Sequence, residues 1–338
     1  MFQRLIYLIV FILLFSNPNL YAEFEFVYNR PPESNNIDAK TLTFINQATT
    51  SLDIAIFQLS NAAFVDEIIS AKNRGVNVRM VTESENWNAC MEQLSGAAGI
   101  KIIPDNILGG GSGFMHDKFI IRDGNAVLTG TYNFTDDQTY DDKNSIIIVK
   151  NAASLAAIYQ AEFNQMFVNK KFGTAKVPLT ATSAVVDGIT FEVYFSPKGN
   201  ITSKLVNAIN TTNSNLYFSI FTFTDQSIAD AIKNARARGC TVKGVFDSWN
   251  ADGTYSKDEY LEEADCLIGR DAYKGLLHDK IMAIDGGTSS DPLGIIGSFN
   301  FTGNANTSND ENILIIHNSS AANSIKANIV YVFNNQTK

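Results

Sequence analysis

Phe114 to Thr135 reads FMHDKFIIRDGNAVLTGTYNFT, and Leu276 to Thr302 answers it with LLHDKIMAIDGGTSSDPLGIIGSFNFT. In each copy a β-branched run follows His-Asp-Lys, an Asp-Gly pair supplies a hairpin turn, and a second short strand returns to Gly-[Thr/Ser]-aromatic-Asn-Phe-Thr. Residues two apart on a strand face the same way, so His116 and Lys118 are expected to project together and Asp117 to point away. Thr131 and Asn133 then arrive at the open end of the hairpin, and His278, Lys280, Ser298 and Asn300 repeat the set.

Outward from this pair, the repetition covers the chain. Phe24-Glu25-Phe26-Val27-Tyr28 recurs as Phe191-Glu192-Val193-Tyr194-Phe195, and Ser51 to Phe57 recurs as Asn215 to Phe221. AKNRGVNVRMV from Ala71 recurs as ARARGCTVKGV from Ala235. The offset stays between 162 and 167 positions, a period that means two domains and excludes a solenoid. In each half a strand leads into a helix with an apolar stripe. One starts at Ser60 or Asn61, buries Phe64, Val65, Ile68 and Ile69, and stops at Gly75. The other is capped by Asp225, buries Ile228, Ala231 and Ile232, and stops at Gly239. A further strand follows at once (Val76 to Val81, Thr241 to Phe246), the spacing of a parallel α/β sheet. Lys, Thr, Ala and Ser dominate between the halves, so the expected division is 23–172, a linker at 173–189, and 190–338.

Residues 1–22 read as a leader: Arg4, an eleven-residue apolar run from Leu5 to Phe15, a break at Asn17-Pro18-Asn19, and Ala22 at the cleavage position. The run is too short to span a bilayer, and the expected destination is secreted or periplasmic. Such a compartment favours disulfides, but Cys90, Cys240 and Cys266 allow one at most, with Cys240 and Cys266 as the expected pair. The 338 residues are 45% hydrophobic and 18% charged, which excludes a disordered or fibrous chain. A net charge of −9 makes a poor general polyanion binder and tilts the substrate away from nucleic acid.

Two imidazoles, two ammonium groups and two carboxamides suit phosphodiester cleavage with no metal and no cofactor. One neutral imidazole attacks phosphorus, the other protonates the leaving alkoxide, and the cations and amides hold the non-bridging oxygens. His-x-Lys-x4-Asp followed by Gly-[Ser/Thr]-x-Asn, intact as His116/Lys118/Asp123 and His278/Lys280/Asp285, resembles the signature of the phospholipase D superfamily. The resemblance implies two duplicated α/β sandwich domains sharing one active site at their interface. It also implies a covalent phosphohistidine on His116, with His278 as acid and base, and structural roles for Asp123 and Asp285. Lys118, Lys280, Asn133, Asn300, Thr131 and Ser298 are the expected phosphate-binding or supporting residues.

The family's downstream Asn-x-Glu stands here as Asn309-Asp310-Glu311, whereas the first half has Asp142-Lys143-Asn144. One histidine therefore has a carboxylate partner and the other an amide; if partnering crosses the interface, Glu311 serves His116. A glycerophospholipid is the expected substrate. A secreted endonuclease acting on DNA or RNA is the alternative, and a non-catalytic binding module is the third reading. His317 is expected to be structural, and Asp136, Asp137, Asp141 and Asp142 to form a solvated loop, since their spacing lacks a calcium-loop pattern. Gly109 to Gly113 is a lip over the site or a plain connector.

Overall fold

The computed structural model describes residues 21–33, 36–105 and 113–337. Most of the leader and of the Gly109 to Gly113 segment lie outside them. The first half runs β1 (Glu23–Asn29), α1 (Ile37–Asn46), β2 (Ser51–Ile56), α2 (Ala62–Asn73), β3 (Asn77–Thr82), α3 (Ala89–Glu92), β4 (Lys101–Pro104), β5 (Lys118–Arg122), β6 (Ala126–Gly130), α4 (Asp136–Tyr140), β7 (Asn144–Lys150) and α5 (Ala153–Phe167). The second runs β8 (Ser183–Val186), β9 (Ile189–Phe195), α6 (Ile201–Asn210), β10 (Asn215–Ile220), α7 (Gln226–Ala237), β11 (Thr241–Phe246), α8 (Ser248–Ala251), α9 (Asp258–Glu262), β12 (Leu267–Arg270), β13 (Lys280–Ile284), β14 (Leu293–Gly297), α10 (Gly303–Thr307), β15 (Asn312–His317) and α11 (Ser319–Gln336).

The sheet orders are β1-β7-β6-β5-β2-β3-β4 and β8-β9-β15-β14-β13-β10-β11-β12, the same arrangement twice with β8 added at one edge. The strand-helix-strand units do pair in parallel, as β2·β3·β4 and β10·β11·β12. The sheets as wholes are mixed, which corrects the expectation of parallel sheets: the hairpins β5–β6 and β13–β14 join the central strands antiparallel, because a tight turn can only reverse the chain.

Helix α2 is capped by the Asn61 side chain and α7 by Asp225. Ala71 completes the buried stripe of α2 where Ile69 was expected; Ile69 only packs against the core from the edge. Three apolar layers result. One lies between the first sheet and α1 and α2, and one between the second sheet and α6 and α7. The third joins the inner faces of both sheets with α5 and α11, through Phe119, Ile147, Phe163, Val193, Ile281 and Ile325. This shared core fixes the two halves against each other.

The segment expected as a linker carries structure of its own. Residues 183–186 form β8 on the second sheet, and the Lys176 ammonium is buried between Glu162 and Asp310, 2.7 Å from the latter. Its composition concealed this because one buried, paired Lys looks like any other in sequence.

The three cysteines are free, so Cys240 and Cys266, the likelier pair whose bridging the sequence left open, are not joined. Lys243 pairs with Leu267 across β11 and β12, so Cys266 stands opposite Val242, and Cys240 lies two residues further back along its strand. Two residues of strand rise plus one strand spacing put the Cα atoms roughly 8 Å apart, beyond disulfide reach. Both thiols pack in the apolar core of the second half instead.

Asp123 and Asp285 adopt left-handed φ angles of 52° and 51° at the two hairpins. Each carboxylate accepts the backbone N–H groups that begin the neighbouring strand: Thr49, Thr50 and Ser51 for Asp123, and Asn213, Ser214 and Asn215 for Asp285. Although partial burial opposes ionisation, these donors hold the Asp123 carboxyl down at about 2. Its depressed folded value means that its stabilisation is present above the unfolded value near 3.8 and is lost as pH falls through that value toward about 2. Asp123→Ala is expected to cost about 2–4 kcal/mol in urea unfolding at neutral pH, since three N–H groups lose an ionised acceptor.

Candidate active site at the domain interface

Strand β5 starts at Lys118 beside Ile56 at the carboxyl end of β2, and β13 starts at Lys280 beside Ile220 at the end of β10. The residues just before each start reach across to the other half. The His116 N–H donates to the Asp310 carbonyl at 2.9 Å, and the Asp310 N–H returns to Phe114 at 2.8 Å. Likewise His278 donates to the Lys143 carbonyl and Lys143 to Leu276, both at 2.8 Å. A Cβ on Gly113 would stand 2.1 Å from the Ser308 carbonyl oxygen, and one on Gly275 would stand 1.9 Å from that of Asp141. Glycine is needed at both crossings because the backbones touch.

This exchange brings the two histidines together, 9% and 6% exposed. His116 Nδ1 lies 2.7 Å from Glu311 Oε2 of the other half, and His278 Nδ1 lies 3.0 Å from Asn144 Oδ1. Both partners present acceptor oxygens, so Nδ1 carries the proton in each ring and Nε2 keeps its lone pair. Asn144 is itself oriented: its Oδ1 accepts from Thr131 and its amide donates to the Gln138 carbonyl. Partnering therefore crosses the interface in both directions, one arm ending in a carboxylate and the other in an amide.

Lys118 and Lys280 are buried, and each donates to the carbonyl of its own histidine, at 2.7 and 2.8 Å. Phe57 underlies the first pair, with its centroid 4.6 Å from the His116 ring and 4.8 Å from Lys118 Nζ. Phe221 repeats this at 4.8 Å from both the His278 ring and Lys280 Nζ. These phenylalanines were missed as site residues, although each directly follows a strand, β2 or β10, in a segment that the internal repeat already aligned. Also unread were Glu83 and Asp247, whose carboxylates accept the Met115 and Leu277 N–H groups at 2.8 and 2.9 Å and so fix the chain just before each histidine.

Asp117 and Asp279 point away from the histidines, as alternation requires, and into the interface. Asp117 accepts from Asn312 and Asp279 from Ser145, both at 2.7 Å. Burial pushes these carboxyls up, to about 8 and about 6. Thr131 and Ser298 are fully buried with their hydroxyls engaged, Thr131 on Asn144 and the Ser145 carbonyl, Ser298 on the Asn312 N–H. Their hydroxyls support neighbours, Thr131 by orienting the Asn144 that holds His278. Asn133 and Asn300 instead keep buried amide oxygens with no hydrogen-bond partner among the described residues. Gly130 and Gly297 open these segments because a Cβ there would strike the carbonyls of Ser145 and Asn312, at 2.2 and 2.1 Å.

Burial depresses both imidazoles. His116 falls to about 4, with Glu311 pulling against burial, while His278 faces Lys280, Lys118 and His116, which add to burial and hold it well below its usual value. Burial also brings Lys118 to about 7 against the pull of Glu311 and Asp117, and burial together with the Lys118 charge lowers Lys280 well below its usual range. Burial opposes ionisation of Glu311, yet His116, Lys118 and Asn309 outweigh it and keep the carboxyl low. Buried together, these groups hold their protons weakly, and an anion among them would restore them.

The sequence pattern of the family described as "Cardiolipin synthase, PLD-like domain" matches residues 41–167 and again 205–332, each match holding one His-Lys pair. The chain belongs to the phospholipase D superfamily. Its two α/β repeats are the superfamily's domain twice over. Phospholipase D of Rickettsia bellii is 32% identical over 134 residues, which are 40% of this chain and 64% of that protein. Mitochondrial cardiolipin hydrolase of Xenopus tropicalis is 29% identical over 40% of this chain and 63% of its own. The chain thus spans just under two thirds of the length of these relatives. The crystal structure of phosphatidylserine synthase from Haemophilus influenzae shares the fold at a TM-score of 0.69 and 12% identity, over 93% of this chain and 87% of that one.

His317 stands outside this site, and the acidic cluster flanks it. His317 bridges Glu192 at 2.8 Å and Asp291 at 3.2 Å on the second sheet. Asp136 to Tyr140 forms α4 where a loop was expected, and Asp142 is buried, accepting from the Leu276 N–H and Gln138. Asp142 therefore anchors the crossing before His278; in sequence it is indistinguishable from its solvated neighbours.

Proposed function

We propose that this protein hydrolyses phosphodiesters through a covalent phosphohistidine on His116, with glycerophospholipids as substrates and no step that needs a metal. The observation that carries this reading is the crosswise pairing of two buried imidazoles, each with Nδ1 protonated and Nε2 free, between two buried lysines. His116 Nε2 attacks phosphorus while the bond to the leaving oxygen breaks, and protonated His278 gives its proton to that oxygen. His278 then takes a proton from water, whose oxygen displaces His116 from phosphorus; both imidazoles return to their starting state. Glu311 accepts from His116 Nδ1–H throughout and stabilises the ring while it carries phosphoryl charge. Lys118, Lys280, Asn133 and Asn300 hold the non-bridging oxygens, the two amides turning their N–H groups toward the anion. The named activities of the Rickettsia and Xenopus relatives support a lipid diester, and so does the acidic net charge of −9. With the leader read over residues 1–22, the substrate is met outside the cytoplasm.

The test is one assay in EDTA, offering phosphatidylcholine vesicles and single- and double-stranded DNA in parallel. Headgroup release is expected; DNA cleavage alone would make the protein a nuclease, and strict metal dependence would overturn the mechanism. A second expectation concerns pH. Dimethyl phosphate, whose charge is constant near neutrality, should bind more tightly as pH falls from about 8 to about 6, by roughly 3–10-fold per unit. The sign follows because burial depresses the imidazoles and lysines and an anion beside them raises them again, so anion binding takes up protons. Calorimetry in buffers of different ionisation enthalpy reads that uptake directly.

A further inference from the structure

The chain has two tryptophans, Trp87 and Trp249, and both are exposed, by 38% and 72%. They occupy similar places in the two halves, each in the segment leaving the carboxyl end of the strand next to the sheet edge, β3 or β11, and each beside an Asn that bonds the chain at or next to the site's aromatic floor. Asn86 donates to the Phe57 carbonyl at 2.9 Å, and Asn250 accepts from Thr222, the neighbour of Phe221, at 3.1 Å. Phe57 and Phe221 are the rings against His116 and His278. Three more exposed aromatics lie in segments that adjoin these in space or along the chain. Phe114 is 46% exposed, two residues before His116 and edge-on to Phe57 at 6.0 Å. Tyr140, 55% exposed, adjoins the Asp141 that packs on Gly275, and Tyr255, 76% exposed, follows Trp249 in the next turn.

Large aromatics are normally spent in cores, so several exposed rings around one opening mark a contact surface. Trp and Tyr in particular have an apolar body and a polar tip, the chemistry of a bilayer interface. The charges fit a neutral surface. Glu85, Asp141 and Asp252 accompany these rings in sequence, and the net charge of −9 repels a polyanion. With both histidines less than a tenth exposed, a diester anchored in a membrane must be drawn in from that face.

We propose that Trp87, Phe114, Tyr140, Trp249 and Tyr255 form a rim that docks the protein on an electrically neutral phospholipid surface, with the phosphodiester site opening between the two tryptophans. This deepens the lipid reading given above and rests on it for the site's chemistry. Because the tryptophans are the chain's only two, their emission reports on the rim alone. The full-length His116→Asn variant, which cannot consume the lipid, is titrated with phosphatidylcholine vesicles. A blue shift is expected, with quenching by lipids brominated near the glycerol. The Trp87→Ala/Trp249→Ala double variant, followed by vesicle sedimentation, should lose at least about tenfold in partitioning with its thermal midpoint unchanged. Wild type that cleaves a soluble diester but shows neither shift nor sedimentation would overturn the rim and leave the enzyme reading standing. Vesicle binding without any turnover would do the reverse. A single-stranded oligonucleotide quenching both tryptophans, with vesicles inert, would make the rim a base-stacking platform and overturn lipid docking.

Discussion

Replacing His116 by alanine is expected to lower turnover of the scissile diester by about 10⁴-fold or more, because it removes the imidazole that forms the bond to phosphorus while His278 is committed to protonating the leaving oxygen. Lys118 is turned toward the His116 carbonyl, and His278 is held by Asn144 on the opposite arm. Alanine also strips the buried Glu311 carboxylate of its imidazole donor, so His116→Asn is the cleaner comparison, since its amide still offers an N–H there. Both variants should be inactive, and the asparagine variant should keep the wild-type unfolding midpoint. Quenching the wild-type reaction in alkali and mapping the phosphoryl group by mass spectrometry should place it on His116. Recovery of the label on His278 would exchange the two roles.

The second large effect tests the asymmetry between the arms. Glu311→Gln preserves shape but removes the charge that pulls His116 upward, and it allows an amide N–H to face Nδ1 and impose the wrong tautomer. A loss of roughly 10²–10⁴-fold in kcat/KM is expected, by analogy with carboxylates that orient a catalytic imidazole elsewhere. Asn144→Asp places a carboxylate on the other arm. It should raise the His278 value, since burial and the neighbouring lysines and imidazole now hold it low with no charge opposing them from Asn144. The acid-requiring limb of the pH–rate profile should then move to higher pH. If Glu311→Gln and Asn144→Gln cost the same, the carboxylate has no special role and His116 is not distinguished as the nucleophile.

Much of this was present in the residues alone. The duplicated His-x-Lys-x4-Asp and Gly-[Thr/Ser]-x-Asn blocks, with the strand-helix-strand grammar around them, determined the two-domain α/β fold and named both histidines and both lysines. Asp123 and Asp285 were readable as turn residues because a left-handed turn and a ring of backbone donors are local requirements. Strand periodicity told which side chains share a face, and so put Asp117 opposite His116.

What the sequence left open is which residues meet across 130 to 195 positions; it paired Glu311 with His116 only on the condition that partnering crosses the interface. Glu311 on His116, Asn144 on His278, Asn312 on Asp117 and Ser145 on Asp279 all follow from the packing of two sheets through one shared core. Two residues of register put Cys240 and Cys266 out of bonding range. Asp142, Lys176 and Phe57 acquired their roles the same way: burial and proximity are properties of the assembled core, and the same side chain in sequence is silent about both.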